Sequence, residues 1–197
     1  MIILASQSPR RQQLLQNAGY AFSVRTSGVV EEQQPGESPR DYVSRLAREK
    51  AFAVPMQPGE LILAADTEVV LDGTVFGKPA DFAHAGEMLK LLSGREHLVL
   101  SGICLRTTER TVVDVAETKV VFRRLGSDEI LEYVRSGEPM DKAGGYAIQG
   151  RASRFVERIE GCFFNVVGLP VELVDRHLRA LGIQPGDGAL ARGQDRD

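Results

Sequence analysis

Two short, wholly apolar runs constrain this chain more than anything else in it: Ile2-Ile3-Leu4-Ala5 and Leu61-Ile62-Leu63-Ala64-Ala65, both too brief for buried helices. A strand with no polar alternation must be covered on both faces, which calls for helices packed on either side of a sheet. Helix starts are easy to find. Ser8-Pro9 and Ser38-Pro39 each set a capping hydroxyl directly before a proline. The second of these opens a helix predicted over Pro39 to Phe52, with Tyr42, Val43, Leu46, Ala47 and Ala51 on one face.

Further elements follow from the same signals. Phe22 to Arg25 reads as a strand, and residues 26–37 as a polar loop carrying Glu31 and Glu32. The second apolar run leads straight into Asp66-Thr67, and Glu68 to Phe76 reads as a hairpin turning at Asp72-Gly73. Asp81 caps a helix with Phe82, Ala85, Leu89 and Leu92 on one face, closed by Ser93-Gly94. Two long strands are predicted over Leu98–Leu105 and Thr111–Phe122, then a helix from Ser127 to Gly137. Residues 138–153 read as a loop, Arg154 to Ile159 as a strand, and Pro170 to Gly182 as a final helix. The fold class is therefore α/β, a mixed sheet with flanking helices. Residues 1–183 form one domain, as two small lobes sharing a core, and residues 184–197 a polar, disordered tail.

Composition removes several functions. A net charge of -3 lacks the basic surplus that a nucleic-acid polymer demands, while a few placed cations still suffice for a small anion. Cys104 and Cys162 sit among apolar neighbours and form neither a disulfide framework nor a zinc site. No window approaches the roughly 18 apolar residues of a membrane helix, and no charged leader precedes the first strand. The expected location is the cytoplasm. His84, His97 and His177 lie in unlike contexts and read as surface or rim histidines.

Four stretches carry chemistry. Ser6, Ser8, Arg10 and Arg11 gather at a strand-to-helix junction, where free N–H groups and two guanidiniums suit a phosphate, although a solvated arginine pair fits as well. Asp66 follows an apolar strand and reads as a metal ligand or general base, against the plainer reading of a turn residue. Lys78 is held between Gly77 and Pro79. The segment Asp141-Lys142-Ala143-Gly144-Gly145-Tyr146-Ala147-Ile148-Gln149-Gly150 offers a carboxylate, glycines for close backbone approach, a tyrosine to pack on a base and an amide for a pyrimidine edge. That amide rotates to suit uracil or cytosine equally. Glu31, Glu32, Asp66 and Asp141 are all oxygen donors, the set a hard cation such as Mg²⁺ or Mn²⁺ prefers.

Taken in order, these stretches resemble the Maf family. Ser6-Gln7-Ser8-Pro9-Arg10-Arg11, Leu46 to Ala51, Ala64-Ala65-Asp66-Thr67, Gly77-Lys78-Pro79, Leu92-Ser93-Gly94, Asp141 to Gly150 and Asn165 to Pro170 follow the family pattern across residues 2–181. The resemblance implies an elongated fold shared with inosine triphosphate pyrophosphatases, with a central cleft, and a homodimer. It implies cleavage of a nucleoside triphosphate between the α and β phosphates, with a divalent cation. Asp66 takes the place of the family's proton acceptor, and Arg10, Thr67 and Gln149 its specificity positions. Arg11, Lys50, Lys78 and Lys142 match its cations, and Glu32 and Asp141 its acidic positions, so the implied metal set is Asp66, Glu32 and Asp141. Glu31-Glu32 stands where many relatives have Asp-Glu, which leaves open which glutamate meets the metal. The Lys-Ala-Gly-Gly-Tyr stretch and Gln149 look like the branch acting on dTTP and UTP. Two alternatives remain: the branch acting on 7-methyl-GTP, and a non-catalytic nucleotide-binding regulator of septum formation.

Overall fold

Both apolar runs are strands in the computed structural model, which describes residues 1–186. In chain order the elements are β1 (Ile2–Leu4), α1 (Pro9–Asn17), β2 (Phe22–Val24), α2 (Pro39–Ala53), β3 (Leu61–Leu71), β4 (Thr74–Phe76), α3 (Phe82–Leu92), β5 (Glu96–Arg106), β6 (Thr111–Phe122), α4 (Ser127–Arg135), β7 (Val156–Glu160), α5 (Phe163–Val167) and α6 (Val171–Ala180). The strands form one sheet in the order β2-β1-β3-β5-β6-β7, with β4 on β3. β1 runs parallel to both β2 and β3, whereas β4 and β7 are antiparallel to β3 and β6, so the sheet is mixed as expected.

The chain divides into two compact units. One holds Met1–Asp66, Ser101–Ala116 and the segment from Gly168 onward. Its β1 and the first half of β3 are buried on both faces. Ala47, Ala51 and Val54 of the α2 region pack on Ile3, Ala5, Ile62, Ala64 and Cys104, alanines on both sides permitting close approach. Gly102 allows a still closer one: a Cβ there would stand 2.2 Å from the carbonyl oxygen of Val43, so α2 lies directly on the β5 backbone. The Tyr20 hydroxyl donates to Asp175 Oδ1 at 2.7 Å and ties the end of α1 to α6. Residues 184–186 turn back so that the Gly186 N–H meets the Gly19 carbonyl at 2.9 Å. The rest of the expected tail, 187–197, lies outside the described residues.

The other unit holds Thr67–Leu100 and Glu117–Val167. Its core is aromatic: Phe122 meets Tyr146 and Phe155 edge-on at 4.8 and 6.1 Å, and Tyr133 meets Phe155 at 5.1 Å. Three elements depart from expectation. β3 does not stop before Asp66 but continues to Leu71, because Val69–Leu71 pair with β4 around the Asp72-Gly73 turn. The 138–153 stretch is wound into short 3-10 turns at Glu138–Asp141, Ala143–Gly145 and Arg151–Phe155, each too brief to show a period in the sequence. The five-residue α5 went unforeseen for the same reason.

Candidate active site

The first unit builds its polar centre around a lysine on a core-facing helix stripe. Tyr42, Val43, Leu46, Ala47, Lys50 and Ala51 are the buried positions of α2, so Lys50 points where an apolar side chain belongs. A buried ammonium needs compensation. Lys50 Nζ donates to Asp66 Oδ1 at 2.6 Å and meets Glu31 Oε1 at 2.5 Å. Asp66 is 3% exposed, and among the described residues its Oδ2 is buried with no hydrogen-bond partner. Such an atom is costly to leave without a partner.

Arg45 sets the position of Glu31. Its guanidinium bonds Glu37 at 2.6 and 2.8 Å, Glu49 at 3.1 Å and the Glu32 carbonyl at 2.9 Å, fastening the 31–37 loop to α2. The Arg45 hydrogen bond holds the Glu37 carboxyl below the usual carboxylate range, and Arg45 is shifted upward in return. With the Glu32 carbonyl pinned and its side chain exposed, it is Glu31 and not Glu32 that reaches Lys50.

β1 accompanies β3 only as far as the Ala5 N–H bond to the Leu63 carbonyl, 2.8 Å, so Ser6 leaves the sheet beside the strand that carries Asp66. The Ser6 hydroxyl accepts from the Ser8 N–H at 3.2 Å and from Arg11 Nη1 at 3.3 Å. Ser8 caps α1 as its sequence foretells, accepting from the Arg11 N–H. Arg11 Nε donates to the Gly168 carbonyl at 2.8 Å. Its side chain therefore braces the start of α1, and Arg10 beside it is half-buried.

The remaining candidates belong to the second unit. Thr67 is half-buried on β3, and Lys78 is exposed after β4. The Gly77 carbonyl accepts the Gly144 N–H at 3.1 Å, joining the Lys78 turn to the glycine-rich loop. Lys142 Nζ donates to the Glu138 carbonyl at 2.7 Å and pairs with the exposed Asp141. Gln149 is exposed on the same loop. Tyr146 is not available to pack on a base: it is 6% exposed, and its hydroxyl lies 2.8 Å from His97 Nε2. His97 is no rim residue either, at 2% exposure against Phe122 and Tyr146. Burial drops its pKa to about 4, so the ring is neutral.

A model of the Maf family, described as Maf-like protein, matches residues 1–181. The chain belongs to the Maf-like family. Among curated relatives, the dTTP/UTP pyrophosphatase of Anaeromyxobacter dehalogenans (strain 2CP-C) is 52% identical, covering 92% of this chain and 94% of that protein. Those of Koribacter versatilis and Salmonella typhimurium are 46% and 49% identical, covering 92% and 86% of this chain and 95% and 87% of theirs. Among solved structures, a HAM1 protein from Coxiella burnetii aligns with a TM-score of 0.49 at 20% identity, covering 91% of this chain and 98% of that one.

One acidic residue of this Maf-like chain escaped the sequence reading. Glu68 is 7% exposed on β3, two residues beyond Asp66. Its signal was an acid inside an otherwise apolar strand, masked by taking the strand to end at Ala65. No helix among the described residues is long and apolar enough to cross a membrane.

Proposed function

We propose that this chain hydrolyses dTTP and UTP at the α–β phosphoanhydride, giving the nucleoside monophosphate and pyrophosphate, with Mg²⁺ or Mn²⁺ as cofactor. One observation carries the reading: the buried Asp66, held by Lys50 through one oxygen, keeps its other oxygen without a hydrogen-bond partner among the described residues. The names of relatives at 46–52% identity support the substrate.

The residues fit a hard cation. The Asp66 and Glu31 carboxylates, both within reach of Lys50 Nζ, are oxygen donors. That is the donor set of a small divalent ion that completes its shell with phosphates and water. When bound, such an ion neutralises phosphate charge and makes the α phosphorus more electrophilic.

The protein's own steps follow from its geometry. Lys50 fixes the Asp66 carboxylate through Oδ1, leaving Oδ2 to accept a proton from the water that attacks the α phosphorus. The start of α1, with the partial positive charge of its helix end and Arg10, receives the charge that builds on the departing pyrophosphate. Arg11 and Ser6 keep that helix start in place. Following the family pattern, Lys78 and Lys142 offset phosphate charge, and Thr67 and Gln149 recognise the base.

The test is a panel of UTP, dTTP, CTP and 7-methyl-GTP, assayed with each metal and with products identified. UTP and dTTP should yield pyrophosphate and the monophosphate. Release of orthophosphate or preference for the purine would overturn the assignment, and silence across the panel would favour a non-catalytic nucleotide binder.

A further inference from the structure

The turn that presents Gln149 is held at both ends by a pair of side chains outside the family's specificity positions. The Gly150 N–H donates to the Ala147 carbonyl at 3.0 Å, closing a four-residue turn with buried Ile148 and exposed Gln149 at its centre. At the near end, the Ala147 N–H donates to the Tyr133 hydroxyl at 3.1 Å. That hydroxyl donates in turn to Glu138 Oε1 at 2.9 Å. At the far end, the Arg151 N–H donates to Glu138 Oε2 at 3.2 Å. Both carboxylate oxygens of one glutamate thus hold the two sides of one turn, the first through a phenol that accepts and donates at once.

Two further observations bear on this arrangement. A Cβ at Gly150 would stand 2.3 Å from Glu138 Oε1, so the carboxylate lies against bare backbone and any side chain there would displace it. The Glu138 carbonyl takes the Lys142 ammonium at 2.7 Å, so the same residue also holds the loop's cation. Tyr133 is fully buried on α4, and burial and Glu138 keep its phenol protonated, as the relay needs.

We infer that Tyr133 and Glu138 are positioning residues for base recognition: they fix the Gln149 turn before substrate arrives, so that its amide meets a pyrimidine edge without first being ordered. The inference rests on the reading of Gln149 as a base-recognition residue. A side chain on an unclamped turn pays an ordering cost for every base alike and loses the fixed direction that tells one base edge from another.

The experiment compares the full-length native protein with Tyr133→Phe, Glu138→Gln and Gln149→Ala, measuring kcat and KM for UTP, dTTP and 7-methyl-GTP. Hydrogen exchange at the Ala147 and Arg151 amides is followed in the same proteins. Tyr133→Phe keeps the ring against Phe155 and deletes only the hydroxyl. Glu138→Gln keeps the shape, but with a single acceptor oxygen it leaves either the Arg151 N–H or the Tyr133 hydroxyl proton without its acceptor, which weakens that arm. Both variants should narrow the preference for UTP over 7-methyl-GTP in kcat/KM by about tenfold, the worth of one hydrogen bond to a charged group. The loss should fall mainly on KM, with faster exchange at the two amides. Should Tyr133→Phe fail to fold, Glu138→Gln decides. Native preference in the folded clamp variants, with Gln149→Ala having lost it, overturns the positioning role and leaves the reading of Gln149 standing. Native preference in Gln149→Ala defeats that reading, and the positioning role falls with it.

Discussion

Acidification should weaken this protein through His97, by an amount the structure allows to be worked out. The ring is 2% exposed, touches Phe122 and Tyr146 edge-on, and shares its one hydrogen bond among the described residues with the Tyr146 hydroxyl. Its folded pKa is about 4, while an unfolded histidine titrates near 6.5. Below pH 6.5 the unfolded chain therefore binds a proton that the folded chain refuses, and stability falls as the pH drops towards 4. Between pH 7 and pH 5 the loss from this one group is about 2 kcal/mol. His97→Gln can still bond the Tyr146 hydroxyl but cannot titrate in this range. Urea unfolding of both proteins at pH 7, 6 and 5 isolates the effect, since any constant cost of the substitution cancels in the pH dependence. The native protein should lose about 2 kcal/mol more than the variant over that interval. Parallel stability profiles for the two proteins would show that the buried imidazole is not what resists protonation.

Other outcomes follow from the same coordinates. Asp66→Asn removes the proposed proton acceptor while keeping an oxygen for Lys50, so turnover should fall by about 10²–10⁴ with little change in the melting transition; near-native turnover in a steady-state assay would exclude the role. Lys50→Met leaves Asp66 buried without its counter-charge and should cost about 3–5 kcal/mol in chemical denaturation, whereas Lys50→Met with Asp66→Leu should recover most of that stability and remain inactive. At pH 7.5 a thiol reagent should label the half-buried Cys162 in the native protein. Cys104, fully enclosed and with its pKa pushed up to about 11 by burial, should react only after unfolding, as counted by mass spectrometry.

The parts of the fold legible in the sequence are those whose signal spans several residues. Unbroken apolar runs placed β1 and the start of β3, and Ser-Pro pairs placed the starts of α1 and α2 to the residue. Elements of three to five residues have no room for a period, which is why the 3-10 turns and α5 went unseen. His97 is a different kind of miss. In β5 it alternates inward with Val99 while Glu96 faces out, so a period of two would have buried it; judging the residue type without its position put it on the rim.

The candidate site divides along the same line. Asp66 was readable because a carboxylate directly after an apolar run is locally anomalous, whereas Lys50 was singled out only through the family pattern, although it interrupts the apolar stripe of α2. The choice of Glu31 over Glu32 was not readable. It depends on Arg45, 13 residues further along the chain, taking the Glu32 carbonyl while the neighbouring Glu31 meets the lysine. The buried pair itself carries a further implication. Two charges withdrawn from water recover in mutual attraction little more than their desolvation cost, and well-packed apolar residues of the same volume would hold α2 to β3 at least as firmly. Stability therefore does not explain why Lys50 and Asp66 occupy these positions. The proposed proton transfer accounts for them: a carboxylate held by Lys50 through one oxygen, with no hydrogen-bond partner for the other among the described residues, would take a proton from a water in a set direction.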